Sequence, residues 1–278
     1  MEPLAPLDVA SLFRPLLAEL LSALRPLTAG EWERPTAAGR WRVRDVAAHL
    51  LDGDLRKIAA CRDDHQVPLD GPITSDRDLA DAIHRINASG VAYAARLSPR
   101  LLVDLLETTG VWVADLLESL PPHAPARFAV SWAGEAESEN WMDVGREYTE
   151  RWHHQAQIRD ATGRPLLLSP RWMAPLLNFA VRALPHAYSA LPAPVGTSVA
   201  LIIDGDTSAA WSVVRGERQW QVFRGASPAP DATVRATTDD AWRLFFNGLP
   251  PDAARTRLQV AGDSVLAAPL IGARSVIV

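Results

Sequence analysis

"REYTERWHHQAQIRDATG", residues 146–163, packs three acids, two adjacent histidines and a tryptophan into one amphipathic run closed by a glycine. The reading as a helix comes from its ends. Asn140 is a good N-cap and Gly163 a good C-terminal stop, which predicts a helix over 141–161. Residues four apart share a helix face, so Glu150 and His154 point the same way, with Glu147 a turn earlier on nearly the same stripe. His153 is rotated by about 100° and is expected to face elsewhere. A carboxylate and an imidazole at this spacing can share one divalent cation, because the acid brings charge and the imidazole a borderline-soft nitrogen. The same spacing also occurs in ordinary solvated pairs, and two ligands do not make a site.

The segments before this stretch read as helices too. In "ASLFRPLLAELLSALRPL", Phe13, Leu16, Leu17, Leu20, Leu21 and Leu24 follow the spacing of an apolar helical face. A second helix is expected from Val43 to about Arg62, burying Val46, Ala47, Leu50 and Ile58. Ser75 is positioned to cap a third over 76–97, and Ser98-Pro99 to open a fourth that stops at Pro121-Pro122. Residues 121–140 are a long connection, and Ser169-Pro170 restarts the chain as a sixth helix. This pattern predicts a mainly α bundle with one crossover.

Beyond "ALPAPVGTS" the period changes. "SVALIIDGDTSAAWSVVRGERQWQVFRG" alternates and is rich in Val, Ile and Trp, which predicts a β-meander. "ATVRATTDDAWRLFFNGL" reads as a strand followed by a helix from about Thr238, and "TRLQVAGDSVLAAPLIG" as a strand, a Gly-Asp turn and a helix. The expected organisation is a helical bundle over 1–191 and a small α+β domain over 198–278, separated by the proline-rich stretch 192–197.

Composition narrows the classes. Of 278 residues, 48% are apolar and 22% charged, which suits a folded, core-forming chain. The net charge of −5 lacks the basic footprint of a nucleic-acid binder, so no nucleic-acid partner is expected. Cys61 is the only cysteine, which excludes an internal disulfide and any Cys-rich zinc site. It reads as an ordinary helix-end residue. "MEPLAPLDVA" has an acid where a signal peptide carries basic residues, and no apolar run reaches the roughly 18 residues of a membrane span. The expectation is a soluble cytoplasmic protein without a membrane partner.

A third ligand for Glu150 and His154 must come from another element. There are seven histidines, at positions 49, 65, 84, 123, 153, 154 and 186. His49 stands out, mid-helix in "RVRDVAAHLLDGDL" beside the apolar stripe of Val46 and Leu50. A buried imidazole there needs a partner, since an unpaired buried polar group costs about 1–3 kcal/mol.

"LTAGEWERPTAAGRWRVRDVAAHLLDGDLRK" resembles the opening of the DinB-like metalloenzyme superfamily, in particular its mycothiol-dependent maleylpyruvate isomerase branch. The matching residues are Trp41, Val43, Arg44, Asp45, Val46, His49 and Leu50, followed on a later helix by Glu150, His154 and "RDATG". "VAGDSVLAAPL" resembles the last strand and helix of a C-terminal α+β domain distantly similar to sterol-carrier-like folds. The resemblance spans nearly the whole chain. It implies a DinB-like four-helix core with inward-facing ligands, and it makes His49, Glu150 and His154 the metal ligands. Zinc is the default ion, and nickel, iron or manganese fit the same donors. Asp45 and Glu147 become candidates for orienting a ligand from behind, although each also reads as an ordinary helix-face acid, and Glu147 as a solvated one.

The resemblance further implies a low-molecular-weight thiol, mycothiol or similar, as cosubstrate for isomerisation of, or transfer to, a small electrophile. A catalytic zinc keeps one position open, and there a thiol would be held as its nucleophilic thiolate. The alternative is a non-catalytic, metal-containing protein that binds a small molecule. No protein side chain is singled out as a catalytic group, and a homodimer is an expectation at family level alone. The sequence departs from the branch in reading "AAGR" before Trp41, and in the doubled His153-His154 beside Trp152.

Overall fold

A computed structural model describes residues 1–66, 68–69, 71–246 and 248–276. The chain forms two compact units. One comprises Asp8–Arg127 and Glu150–Leu166, and the other Met1–Leu7, Phe128–Thr149 and Leu167–Val278.

The first unit is helical. It holds α1 (Phe13–Leu24), α2 (Ala29–Trp32), α3 (Val43–Cys61), α4 (Asp76–Ala94), α5 (Pro99–Ser119) and the C-terminal part of α6 (Asn140–Thr162). The starts follow side-chain caps. Ser75 Oγ accepts from the Asp78 N–H and Ser98 Oγ from the Leu101 N–H, each satisfying a donor that the first helical turn leaves open. Thr28 and Glu31 make a reciprocal capping box for α2, a one-turn helix too short for periodicity to reveal. The end of α6 is set by Gly163, whose φ of +68° suits glycine, with the Arg164 N–H reaching back to the Arg159 carbonyl.

The apolar faces then close on one another. Leu20, Leu21 and Leu24 of α1, Val43, Val46, Ala47, Leu50 and Leu51 of α3, Leu102, Val103 and Leu106 of α5, and Ile158 of α6 form one buried cluster. Each fully buried Leu or Val contributes about 1.5–3 kcal/mol. Among the expected face residues of α1, Leu17 is only partly buried; it packs at the cluster's margin.

The second unit is built on a sheet. It contains β1 (Glu2–Pro3), the start of α6, α7 (Pro170–Ala180), α8 (Leu184–Ala187), β2 (Ser198–Asp204), β3 (Ala209–Arg215), β4 (Trp220–Arg224), β5 (Ala232–Thr237), α9 (Thr238–Phe245), α10 (Pro251–Arg257), β6 (Gln259–Gly262) and α11 (Ser264–Gly272). Strand order is β1-β4-β3-β2-β5-β6. The meander β2-β3-β4 is antiparallel as its Asp-Gly and Arg-Gly breaks predict, whereas β5 joins β2 in parallel. Leu201 of β2 lies opposite Trp211 of β3 and Val234 of β5, and all three are buried. The period-2 pattern thus turns one row of side chains inward. The buried Trp211 indole N–H donates to the Asn178 side chain at 3.0 Å.

Two further details fix local geometry. Thr237 caps α9 directly after β5. At Gly262, where φ is +82°, an added Cβ would fall 2.3 Å from the Asp231 carbonyl oxygen, so only glycine lets β6 run this close to the start of β5. Asp263 then caps α11 by accepting from the Val265 N–H. Among the described residues, no helix is long and apolar enough to cross a membrane.

Candidate metal centre

The site lies within the helical unit and is built from α3 and α6. Glu150 and His154 project from one face of α6, as the four-residue spacing requires. The His49 ring comes from α3. Its Nε2 lies 3.0 Å from Glu150 Oε1, and His154 Nε2 lies 3.1 Å from the same oxygen. One donor atom from each of the three residues falls within 4.8 Å of the others, the metal-capable group found among the described residues. A tetrahedral zinc with bonds of about 2.0–2.1 Å has ligand–ligand edges of about 3.3 Å. The two histidine–carboxylate separations are near that edge.

The site is sheltered but reaches solvent. The His49 and His154 side chains are 7% and 8% exposed, while Glu150 retains 32%. The Trp41 ring stands 4.9 Å from the His49 ring and 6.4 Å from that of His154, giving the imidazoles an apolar wall. Behind the ligands, Arg151 pairs with Asp54 at 2.6 Å, and Thr109 donates to the same carboxylate at 2.8 Å. This buried set ties α6 to α3 and α5, and so fixes the rotation of α6 that turns Glu150 and His154 toward His49.

The electrostatics favour an ionised Glu150 and, at His49, a neutral imidazole. Burial pushes the Glu150 carboxyl up, but the charge and hydrogen bond of His154, the hydrogen bond of His49 and the charge of His153 together outweigh it. The carboxyl is held well below the usual carboxylate range. Burial pushes the His49 imidazole down, against the hydrogen bond to Glu150. An ionised carboxylate beside a neutral imidazole is the protonation pattern a divalent cation needs.

Several expectations need correction or completion. Asp45 does not orient His49. Its carboxylate accepts the Arg42 backbone N–H at 2.9 Å, closing the first turn of α3, and His49 Nδ1 has no hydrogen-bond partner. Glu147 is not solvated. It is 7% exposed and accepts from Arg146, which also bonds Asp143, so a guanidinium compensates its burial. Glu147 groups with the sheet unit. His153 stays closer than its angular offset suggests. Its ring is 4.0 Å from that of His154, and its Nδ1 is 4.0 Å from Glu150 Oε2.

One residue was missed altogether. Gln157 Oε1 lies 2.8 Å from His154 Nδ1, with both side chains buried. The available signal was the i, i+3 spacing of His154 and Gln157 on one helix face.

The fold and the cluster define a class: a DinB-like helical bundle in which two histidines and a carboxylate converge, followed by a mixed sheet. The family model of the mycothiol maleylpyruvate isomerase N-terminal domain matches residues 13–159. The chain belongs to that family. Among solved structures, the mycothiol-dependent maleylpyruvate isomerase aligns with a TM-score of 0.56 at 12% identity, covering 88% of this chain and 91% of that one. A histidine-to-alanine mutant of the isomerase gives 0.54 at 12% identity, with 88% and 91% covered. At this identity the likeness is one of fold. A sterol carrier protein 2 like 2 from Aedes aegypti aligns at 21% identity over 37% of this chain and 96% of its own, with a TM-score of 0.29, too slight to argue from. No curated protein matches the chain.

Proposed function

We propose that this protein is a metal-dependent enzyme that activates a low-molecular-weight thiol against a small electrophile, in the manner of a mycothiol-dependent maleylpyruvate isomerase. His49, Glu150 and His154 are the proposed ligands, and zinc is the proposed ion. One observation carries the reading: two imidazole Nε2 atoms from helices far apart in sequence converge on a single carboxylate oxygen, at 3.0 and 3.1 Å. The family match supports the choice of thiol and reaction class.

His49, Glu150 and His154 would hold the ion, and three protein ligands are the number with which a catalytic zinc remains open to a cosubstrate. When bound, the ion would act as a Lewis acid that lowers the thiol pKa and stabilises the thiolate. The protein's own groups do the rest. Glu150 offsets one positive charge and keeps the site open to solvent. Trp41 and the buried histidine rings hold water away from one side. Addition of the thiolate to a conjugated carbon–carbon double bond breaks the π bond and leaves an enolate in which the former double bond can rotate; expulsion of the same thiolate then restores the double bond as the isomer, whereas uptake of a proton from solvent at the carbanionic carbon gives the thiol adduct.

Bound metal is measured in the purified protein and in His49→Ala and His154→Ala, alongside thiol-dependent conversion of maleylpyruvate. Stoichiometric zinc and thiol-dependent turnover in the wild type, both lost in the variants, are the expected results. Full metal retention in both variants would refute the ligand set. Metal without turnover on any thiol would refute the enzymatic reading.

A further inference from the structure

The two histidines of the cluster are held differently. His154 has a partner on each ring nitrogen: Glu150 Oε1 at 3.1 Å from Nε2, and Gln157 Oε1 at 2.8 Å from Nδ1. His49 has Glu150 at 3.0 Å from Nε2, but its buried Nδ1 has no partner. The Gln157 side chain is itself buried, so it brings a polar group inside for a local purpose.

An amide oxygen only accepts, so the His154 Nδ1 facing it carries a hydrogen. A neutral imidazole has one N–H, which leaves the Nε2 lone pair directed at Glu150. A lone pair facing a carboxylate oxygen at 3.1 Å is unfavourable unless positive charge sits between them or on the ring. The amide thus sets His154 as a ligand in advance. His49 has no such device, and its hydrogen must move to an unpartnered Nδ1 before Nε2 can ligate.

We infer that Gln157 is a positioning residue for the proposed metal centre: its amide oxygen fixes His154 as the Nδ1–H form and presents Nε2 for ligation. This rests on the metal reading above. The opposite amide orientation would donate to Nδ1 and force the hydrogen onto Nε2, toward Glu150. That orientation disfavours ligation, so the two arrangements make opposite predictions.

Two measurements separate them. The first is long-range 1H–15N NMR of the His154 ring in metal-free Glu150→Ala protein, where no carboxylate competes for the ring hydrogen, at a pH where the ring is neutral. The Nδ1–H form is expected, with loss of that preference when Gln157→Leu is added; an Nε2–H form with Gln157 in place would overturn the inference. The second is zinc affinity by competition with a chromophoric chelator. Gln157→Leu is expected to bind about 10–100-fold more weakly, the usual effect of removing such a partner. Gln157→Glu, which keeps an acceptor, is expected to retain wild-type affinity. Equal affinity in wild type and Gln157→Leu, or equal weakening in both variants, would refute the positioning role. If wild-type protein binds no zinc, the metal reading fails instead, and the NMR result still decides how Gln157 sets the ring.

Discussion

His49 Nε2 and Glu150 Oε1 lie 3.0 Å apart although 101 residues separate them in the chain. That contact turns the Glu150–His154 spacing, common in helices, into a three-donor cluster. It requires α3 and α6 to pack with a fixed rotation, and the Asp54–Arg151 pair supplies part of that constraint.

Removing the metal should lower stability. An ion that binds only the folded protein adds about 2.7 kcal/mol at a hundredfold excess over its Kd. For a chain of this size that corresponds to a Tm shift of roughly 5–10 °C. Calorimetry before and after chelation checks this. A Tm unchanged by chelation and by zinc addition would count against a site in the folded state.

Glu150→Gln tests charge rather than shape. The amide keeps the volume and one acceptor oxygen but cannot offset the cation. Zinc content should fall to a small fraction of stoichiometric while the far-UV circular dichroism stays unchanged. A variant that keeps full zinc would show that Glu150 is not a ligand.

Asp54→Ala removes one partner from a buried ion pair, for which about 3–5 kcal/mol of destabilisation is expected. Asp54 and Arg151 are 5% and 15% exposed in their side chains, so solvent does little to replace the lost contact. Denaturant unfolding measures the difference. A change below about 1 kcal/mol would place this pair with weak surface bridges.

Glu31 should titrate anomalously. Its carboxylate accepts the Thr28 backbone N–H, then an Arg164 bond and the Thr28 hydroxyl, and its pKa falls from 4.5 to about 2. The shift is downward, so its stabilising effect is complete above the unfolded value and disappears as pH falls toward 2. Carboxyl 13C NMR against pH is the check. A midpoint near 4.5 would mean that the capping box and the Arg164 contact do not persist in solution.

Gly163→Ala probes the end of α6. No atom lies within 4 Å of an added Cβ, so the cost comes from the backbone alone, at φ +68°. About 1 kcal/mol of lost stability is expected, with no change in zinc content. A neutral or stabilising effect would contradict the left-handed terminus.

Much of this was legible in local patterns. The expected second helix, Val43 to about Arg62, forms as Val43–Cys61, and the fourth, opening at Ser98-Pro99, forms as Pro99–Ser119. The change to period 2 after residue 197 marks the meander, and Thr238 starts α9 as its cap residue requires. Other features left no local trace. The one-turn α2 and the short α8 and α10 fall below the length at which apolar periodicity is visible. The parallel pairing of β5 with β2 depends on partners far apart in sequence. Asp45 read as a possible support for His49, but a side chain at the third position of a helix is drawn to the free N–H groups of the first turn. Gln157 carries no motif in the sequence, and its role comes from the contact of its amide with His154.

The sequence by itself determined the longer helices and the strands of the meander, and it set Glu150 and His154 on one face of α6. Those outcomes depend on caps, periodicity and the 3.6-residue turn, all of which act over a few residues. His49 is expected in the cluster from the resemblance, but only the tertiary structure brings its ring to Glu150, engages Asp45 with the Arg42 N–H and Glu147 with Arg146, and sets Gln157 against a ring nitrogen. Each of these depends on how helices rotate against one another and on which buried polar atoms find partners. No local rule carries that information, because burial and pairing are properties of the packed core rather than of any single stretch of chain.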